Sequence, residues 1–133
     1  MKKVNRPITN IGEFEIALNK ASLLDSDREL IEYIRFIGIF SQPMLNQALR
    51  LPSKPPILSK LCVICRQIGE LMPNHFSMVR NWSQDISSEN IIWDANLICA
   101  GIYNYEGEQL SPEEGNTQFH VFTVHKELFN GLN

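Results

Sequence analysis

Three cysteines, three histidines and a set of basic side chains between residues 50 and 80 are the groups in this 133-residue chain from which chemistry could be built. Cys62 and Cys65 stand at the spacing of a zinc-binding pair, in which two thiolates close half of a tetrahedral site. His75, Asn90 and Cys99 follow them. Such a site needs four ligands, yet Cys99 runs into Ala100, Gly101 and Ile102 with neither a fourth cysteine nor a closing histidine. Cysteines at i and i+3 in an apolar helix behave as small core hydrophobes. Cys62 and Cys65 are therefore expected to pack, and an odd cysteine count fits reduced thiols. His120 and His125 have no Ser, Cys or carboxylate partner at a telling spacing. Gly38, Gly69, Gly101, Gly107 and Gly115 are isolated, so no glycine-rich phosphate loop is present. Glu113 and Glu114 read as a solvated pair in a loop, and Trp82 and Trp93 as core residues. Neither a metal nor a cofactor is expected.

The second set of groups suits contact with a polyanion. Residues 44–83 hold Arg50, Lys54, Lys60, Arg66 and Arg80 against the single acid Glu70. Residues 84–133 hold one lysine against eight acids, and residues 1–43 balance. Placed on a helix, Ser59, Lys60, Val63, Arg66 and Gln67 share one face, with Arg50 and Lys54 near the helix start. Basic groups beside a helix N-terminus supply what phosphate positioning needs, since backbone donors and the dipole add to them.

These residues require helices to hold them. Residues 41–72 read as two helices around a proline-bounded turn. Leu45, Ala48 and Leu49 face inward on a helix at about 42–50 capped by Ser41. Pro52, Pro55 and Pro56 forbid a continuous helix through the turn. Ile57, Leu58, Leu61, Ile64, Cys65 and Ile68 line the inner face of a helix at about 55–71, which Pro73 stops. Upstream, a basic arm over residues 1–10 leads to a helix at about 12–23 with Phe14, Ala17, Leu18 and Ala21 inward, capped by Thr9 or Asn10. Ser26 and Glu29 form a capping box for a helix at about 27–37. Its stripe is Leu30, Ile31, Ile34 and Ile37, with Phe36 packed beside it and Gly38 as its stop. Ile39-Phe40 is a short extended link.

Downstream, residues 74–84 fit either a strand with Phe76 and Met78 inward or a short helix carrying Phe76, Val79 and Trp82. Residues 85–90 are loop-like. A strand lies within 91–104, bent at Gly101. Residues 105–116 form an exposed hairpin loop. Residues 117–124 alternate as a strand, with Phe119, Val121 and Thr123 on one face and His120, Phe122 and Val124 on the other. The segment after it adds a helical turn. The implied fold class is α+β in one domain: an N-terminal helical part with a helix-turn-helix, followed by a small antiparallel β-sheet.

Leu45, Leu49 and Leu51, then Ile57, Leu58 and Leu61, then Gly69-Glu70-Leu71 carry a resemblance to winged helix-turn-helix domains. It covers residues 27–72 and, more loosely, 91–124. The chain departs from that pattern by its three-proline turn and by residues 73–90, which stand before the hairpin. The resemblance implies a small transcriptional regulator that binds double-stranded DNA as a homodimer, through Arg50, Lys54, Ser59, Lys60, Val63, Arg66 and Gln67. The cysteines with His75 and Asn90 resemble a degraded His-Asn-His nuclease pattern, in which a cysteine knuckle supports a water-activating histidine. Here Asn74 stands where an acidic metal ligand is usual. The main competing class is a protein-interaction adaptor that uses the acidic C-terminal half, and the nuclease reading comes third.

The net charge of −3 and pI of about 5.6 argue against a general nucleic-acid coating protein but leave room for a local basic face. No apolar run approaches the ~20 residues that span a bilayer, and no apolar core follows the first lysines. A cytoplasmic protein without membrane partners is expected.

Overall fold

The computed structural model describes residues 5–48, 57–87, 90–101 and 121–131. Asn10 opens the first helix, α1 (Ile11–Lys20), by accepting the Glu13 N–H at 2.9 Å on its side chain. The Arg28 guanidinium closes it, donating to the Leu18 carbonyl and, at 2.7 Å, to that of Ala21. A cation at the carbonyl end also suits the helix dipole.

Helix α2 (Asp25–Ile37) starts two residues before the expected start at about 27. Ser26 therefore lies inside the first turn, and Asp27 rather than Glu29 accepts the free Leu24 N–H, at 3.3 Å. Leu30, Ile31 and Ile34 are buried as the spacing required. Phe36 is not packed beside them. Two residues after Ile34 is roughly 200° around the helix, so Phe36 points outward and is 52% exposed. Gly38 stops the helix with φ +78°, and a Cβ there would sit 2.8 Å from the Phe129 ring.

The extended link becomes a strand. β1 (Ile39–Phe40) leads into α3 (Gln42–Ala48), where Leu45 is buried and Ala48 is exposed, against expectation. Leu49, Arg50 and the proline turn lie outside the described residues. Helix α4 (Ile57–Gly69) buries the whole predicted stripe: Ile57, Leu58, Leu61, Ile64, Cys65 and Ile68. It packs against α1 and α3.

Residues 73–90 hold the second half of a helical corner. Pro73 occupies the first position of α5 (Pro73–Ile86), where its missing N–H costs nothing. Phe76, Val79 and Trp82 are buried on one face, so the helical alternative holds. The corner is tight because Gly69 has no side chain: a Cβ there would lie 2.5 Å from the Phe76 ring. Replacing Gly69 by alanine should therefore lower stability by about 1–3 kcal/mol through overpacking. In a urea titration the midpoint should fall with the slope unchanged.

A 3-10 turn (Asp94–Leu97) then delivers β2 (Cys99–Gly101), and β3 (Phe122–Val124) completes the sheet. The order is β1-β3-β2, all antiparallel, with Phe40 opposite Phe122 and Cys99 opposite Val124. Of the expected 117–124 strand, residues 117–120 lie outside the described residues, as does the loop at 105–116. Phe122 is fully buried, with ring centroids 5.6 Å from Phe40 and 5.2 Å from Trp93. One apolar core runs from Phe14 through α4 to Leu128. The fold is α+β, with five helices and a small antiparallel sheet of three strands among the described residues. No helix among them is long and apolar enough to cross a membrane.

A buried polar network ties the C-terminal half together. Ser83 Oγ donates to Asn96 Oδ1 at 2.6 Å and accepts the Trp93 N–H at 2.7 Å. Asn96 Nδ2 donates to the Cys99 carbonyl at 3.0 Å, and the Asn96 carbonyl accepts from His125 Nε2 at 2.7 Å. Such groups are stable in a dry interior because each is partnered.

Candidate nucleic-acid interface

Helix α4 has one buried and one open face. Ser59, Val63, Arg66 and Gln67 are exposed on the open one, as its apolar spacing requires. Lys60 is half-buried on the same helix, and its Nζ lies 3.5 Å from Asp27 Oδ1 on α2. Five of the seven expected contact residues thus lie on this single helix. Arg50 and Lys54 lie outside the described residues.

Arg66 is not a free cation. Its Nε donates to Asp94 Oδ2 at 2.9 Å, while Arg80 Nε on α5 donates to Asp94 Oδ1 at 3.1 Å. Asp94 is buried and the two arginines are about half-exposed. The hydrogen bond to Asp94, joined by the attraction of its charge, pushes the Arg66 pKa above the usual arginine value. Arg80 also lies over the Phe76 ring, 5.5 Å from its centroid, on the corner that Gly69 permits.

Residues 5–10 are strapped to the C-terminal turn. Arg6 grips Glu127 with both terminal nitrogens, at 2.7 and 2.9 Å, and the Thr9 N–H donates to Glu127 at 2.8 Å. A groove of about 600 Å³ opens between this strap and α5, bordered by Arg6, Met78, Asn81 and Gln84.

Among the described residues the cysteines and histidines do not form one centre. Cys65 and Cys99 are fully buried and Cys62 packs against the same core. Burial pushes both buried thiols well above their usual pKa, which keeps them neutral. Asp94 is a charged neighbour of Cys65, whereas the charges that act on His75 are Glu13, Glu127 and Arg6. His75 Nε2 lies 3.1 Å from Thr9 Oγ1, a buried bond across 66 positions that ties α5 to the segment before α1. Among the described residues no group of three or more His, Cys, Asp or Glu is placed to hold a metal ion.

Sequence reasoning counted Arg80 only in the charge balance and passed over Asp94. One signal pointed to the latter. Asp94 is the lone charge in the apolar run 91–99, and a carboxylate carried into a core needs a partner. Comparison of the chain with protein-family models, with curated proteins and with solved structures finds no match in any of the three.

Proposed function

We propose that this protein is a small regulator that binds double-stranded DNA, of the winged helix-turn-helix type, with the open face of α4 as its reader. The observation that carries the reading is the division of α4. Its inner face is fully committed to the core, while Ser59, Val63, Arg66 and Gln67 stand uncovered on the other. Side chains of these types suit a major groove, where hydroxyl and amide groups reach base edges, an apolar group meets a thymine methyl, and arginine reaches guanine or phosphate.

The surrounding elements support the same reading. Helix α3 packs on α4. β1 precedes α3 directly and pairs with β3, so the helix pair and the sheet are mechanically one piece. Residues 44–83 carry a five-to-one basic excess in sequence, of which Lys60 meets Asp27 and Arg66 and Arg80 share the single charge of Asp94, so the two arginines keep a local surplus of one. Working as a homodimer, two such readers would address two half-sites, which is how a short reader gains specificity.

The test is retention of a pool of genomic duplex fragments at two salt concentrations. Binding should weaken steeply as salt rises, because phosphate contacts release counterions. Gln67→Glu, which places a negative charge on the exposed face without touching the core, should weaken it by about tenfold or more. No fragment retained at low salt by protein shown to be folded would refute the reading.

A further inference from the structure

The arginine pair on Asp94 has more cationic capacity than the carboxylate uses. A single guanidinium can satisfy a carboxylate with two parallel hydrogen bonds. Here two arginines from two helices each spend only Nε on it, at 2.9 and 3.1 Å. The terminal nitrogens of both arginines are not spent on Asp94. Both side chains are half in solvent, at 52% and 47% exposure, while the Asp94 side chain is at 3%. The trio carries a net charge of +1 and holds those nitrogens in place, so little rotamer entropy remains to be lost on binding an anion.

We propose that Arg66 and Arg80, held on Asp94, form a clamp for one backbone phosphate of DNA lying along the open face of α4. This rests on the DNA-binding reading above and adds α5 to the interface. A phosphodiester carries one negative charge, which matches the trio. Its two non-bridging oxygens can each accept from one guanidinium. The segment 73–90, which departs from the winged pattern, thereby acquires a function: it brings Arg80 beside Arg66. Glu70 also acts on Arg66 from the exposed end of α4, where solvent and salt screen it.

The test is equilibrium binding of duplex fragments at several salt concentrations by wild type, Arg80→Ala, Arg80→Lys and Asp94→Asn. Circular dichroism melting checks that each is folded. Arg80→Ala should bind about tenfold more weakly and lose about one unit of salt slope. Arg80→Lys should keep the slope and recover part of the affinity, because lysine restores the charge but not the fork. Asp94→Asn separates the clamp from simple attraction. It raises the net charge by one, so attraction alone predicts tighter binding, whereas loss of the shared anchor predicts weaker binding.

Arg80→Ala with wild-type affinity and slope would overturn the clamp while leaving DNA binding intact. Tighter binding by Asp94→Asn would overturn it as well. Failure of wild type to retain any fragment would overturn the reader and the clamp together. Should Asp94→Asn not fold, the two Arg80 variants decide the matter, since Asp94 keeps Arg66 in both.

Discussion

Replacing Phe122 by alanine should lower the unfolding free energy by about 3–5 kcal/mol, the range for emptying a large buried aromatic site. Phe122 is fully buried in the central strand and packs against Phe40 from β1 and Trp93 ahead of the 3-10 turn. Its removal takes away apolar contact and two aromatic neighbours at once, each pair adding about 0.5–1.5 kcal/mol beyond area alone. The cavity cannot close easily, because Phe40 is fixed by the sheet ladder and Trp93 by its N–H bond to Ser83. Total stability of small domains is only about 5–15 kcal/mol. A melting temperature lowered by about 10 °C or more is therefore expected. A drop of less than about 1 kcal/mol in denaturant titration would mean that β3 is not the keystone of the core. Thr123→Ala, on the exposed face of the same strand, is the control and should change little.

Acidification should destabilise the protein in two stages. His125 is buried against the Trp82 ring and donates Nε2–H to the Asn96 carbonyl. Burial lowers its pKa to about 4, although the Asn96 bond opposes this. The unfolded chain takes up that proton near pH 6.5, so it binds more protons than the native state across the interval. Stability is thus fully present above pH 6.5 and falls as pH drops toward 4, by about 3 kcal/mol for this group. Burial likewise lowers the pKa of His75, which adds in the same direction.

Glu127 acts in a lower window. Burial pushes its pKa up, but the Arg6 and Thr9 hydrogen bonds outweigh that and hold it at about 2. Its contribution is present above about pH 4.5 and is lost as pH falls from there toward 2. Denaturant midpoints measured from pH 8 to 3 should show the first decline. His125→Gln, which keeps an N–H donor without a titrating ring, should flatten it. A midpoint independent of pH between 7 and 4.5 would contradict the buried neutral imidazole.

The helical core was legible because its signals are local. The α4 stripe from Ile57 to Ile68 can be read from spacing alone, and the stop at Gly38 from residue type. Helix α5 was ambiguous because His75 and Ser83 share its buried face with Phe76, Val79 and Trp82. Polar residues on an inner face blur the period until their partners, Thr9 and Asn96, are known. The pairing of Ile39-Phe40 with β3 joins positions more than 80 residues apart, so nothing in the neighbourhood of β1 announces a strand. The candidate site divides in the same way. Exposure of Ser59, Val63, Arg66 and Gln67 follows from the α4 period. The anchoring of Lys60 on Asp27 and of Arg66 on Asp94 depends on how α4 meets α2 and the 3-10 turn. The local pattern says that Asp94 needs a partner but not which side chains supply it.

The central place of β3 bears on how the chain can assemble. Val124 N–H donates to the Gly38 carbonyl, the Leu128 carbonyl accepts from Arg35 Nε, and Glu127 grips Arg6 across 121 positions. These closures join early and late parts of the polypeptide, which is the high-contact-order condition that slows folding. As the chain leaves the ribosome, the helices can form in turn. Phe40, Trp93 and the edges of β1 and β2 must wait for residues 122–130. Until they arrive, Phe40 and Trp93 lack the Phe122 ring that packs between them, and uncovered aromatic surface of this kind is what chaperones cover and what aggregates when they do not.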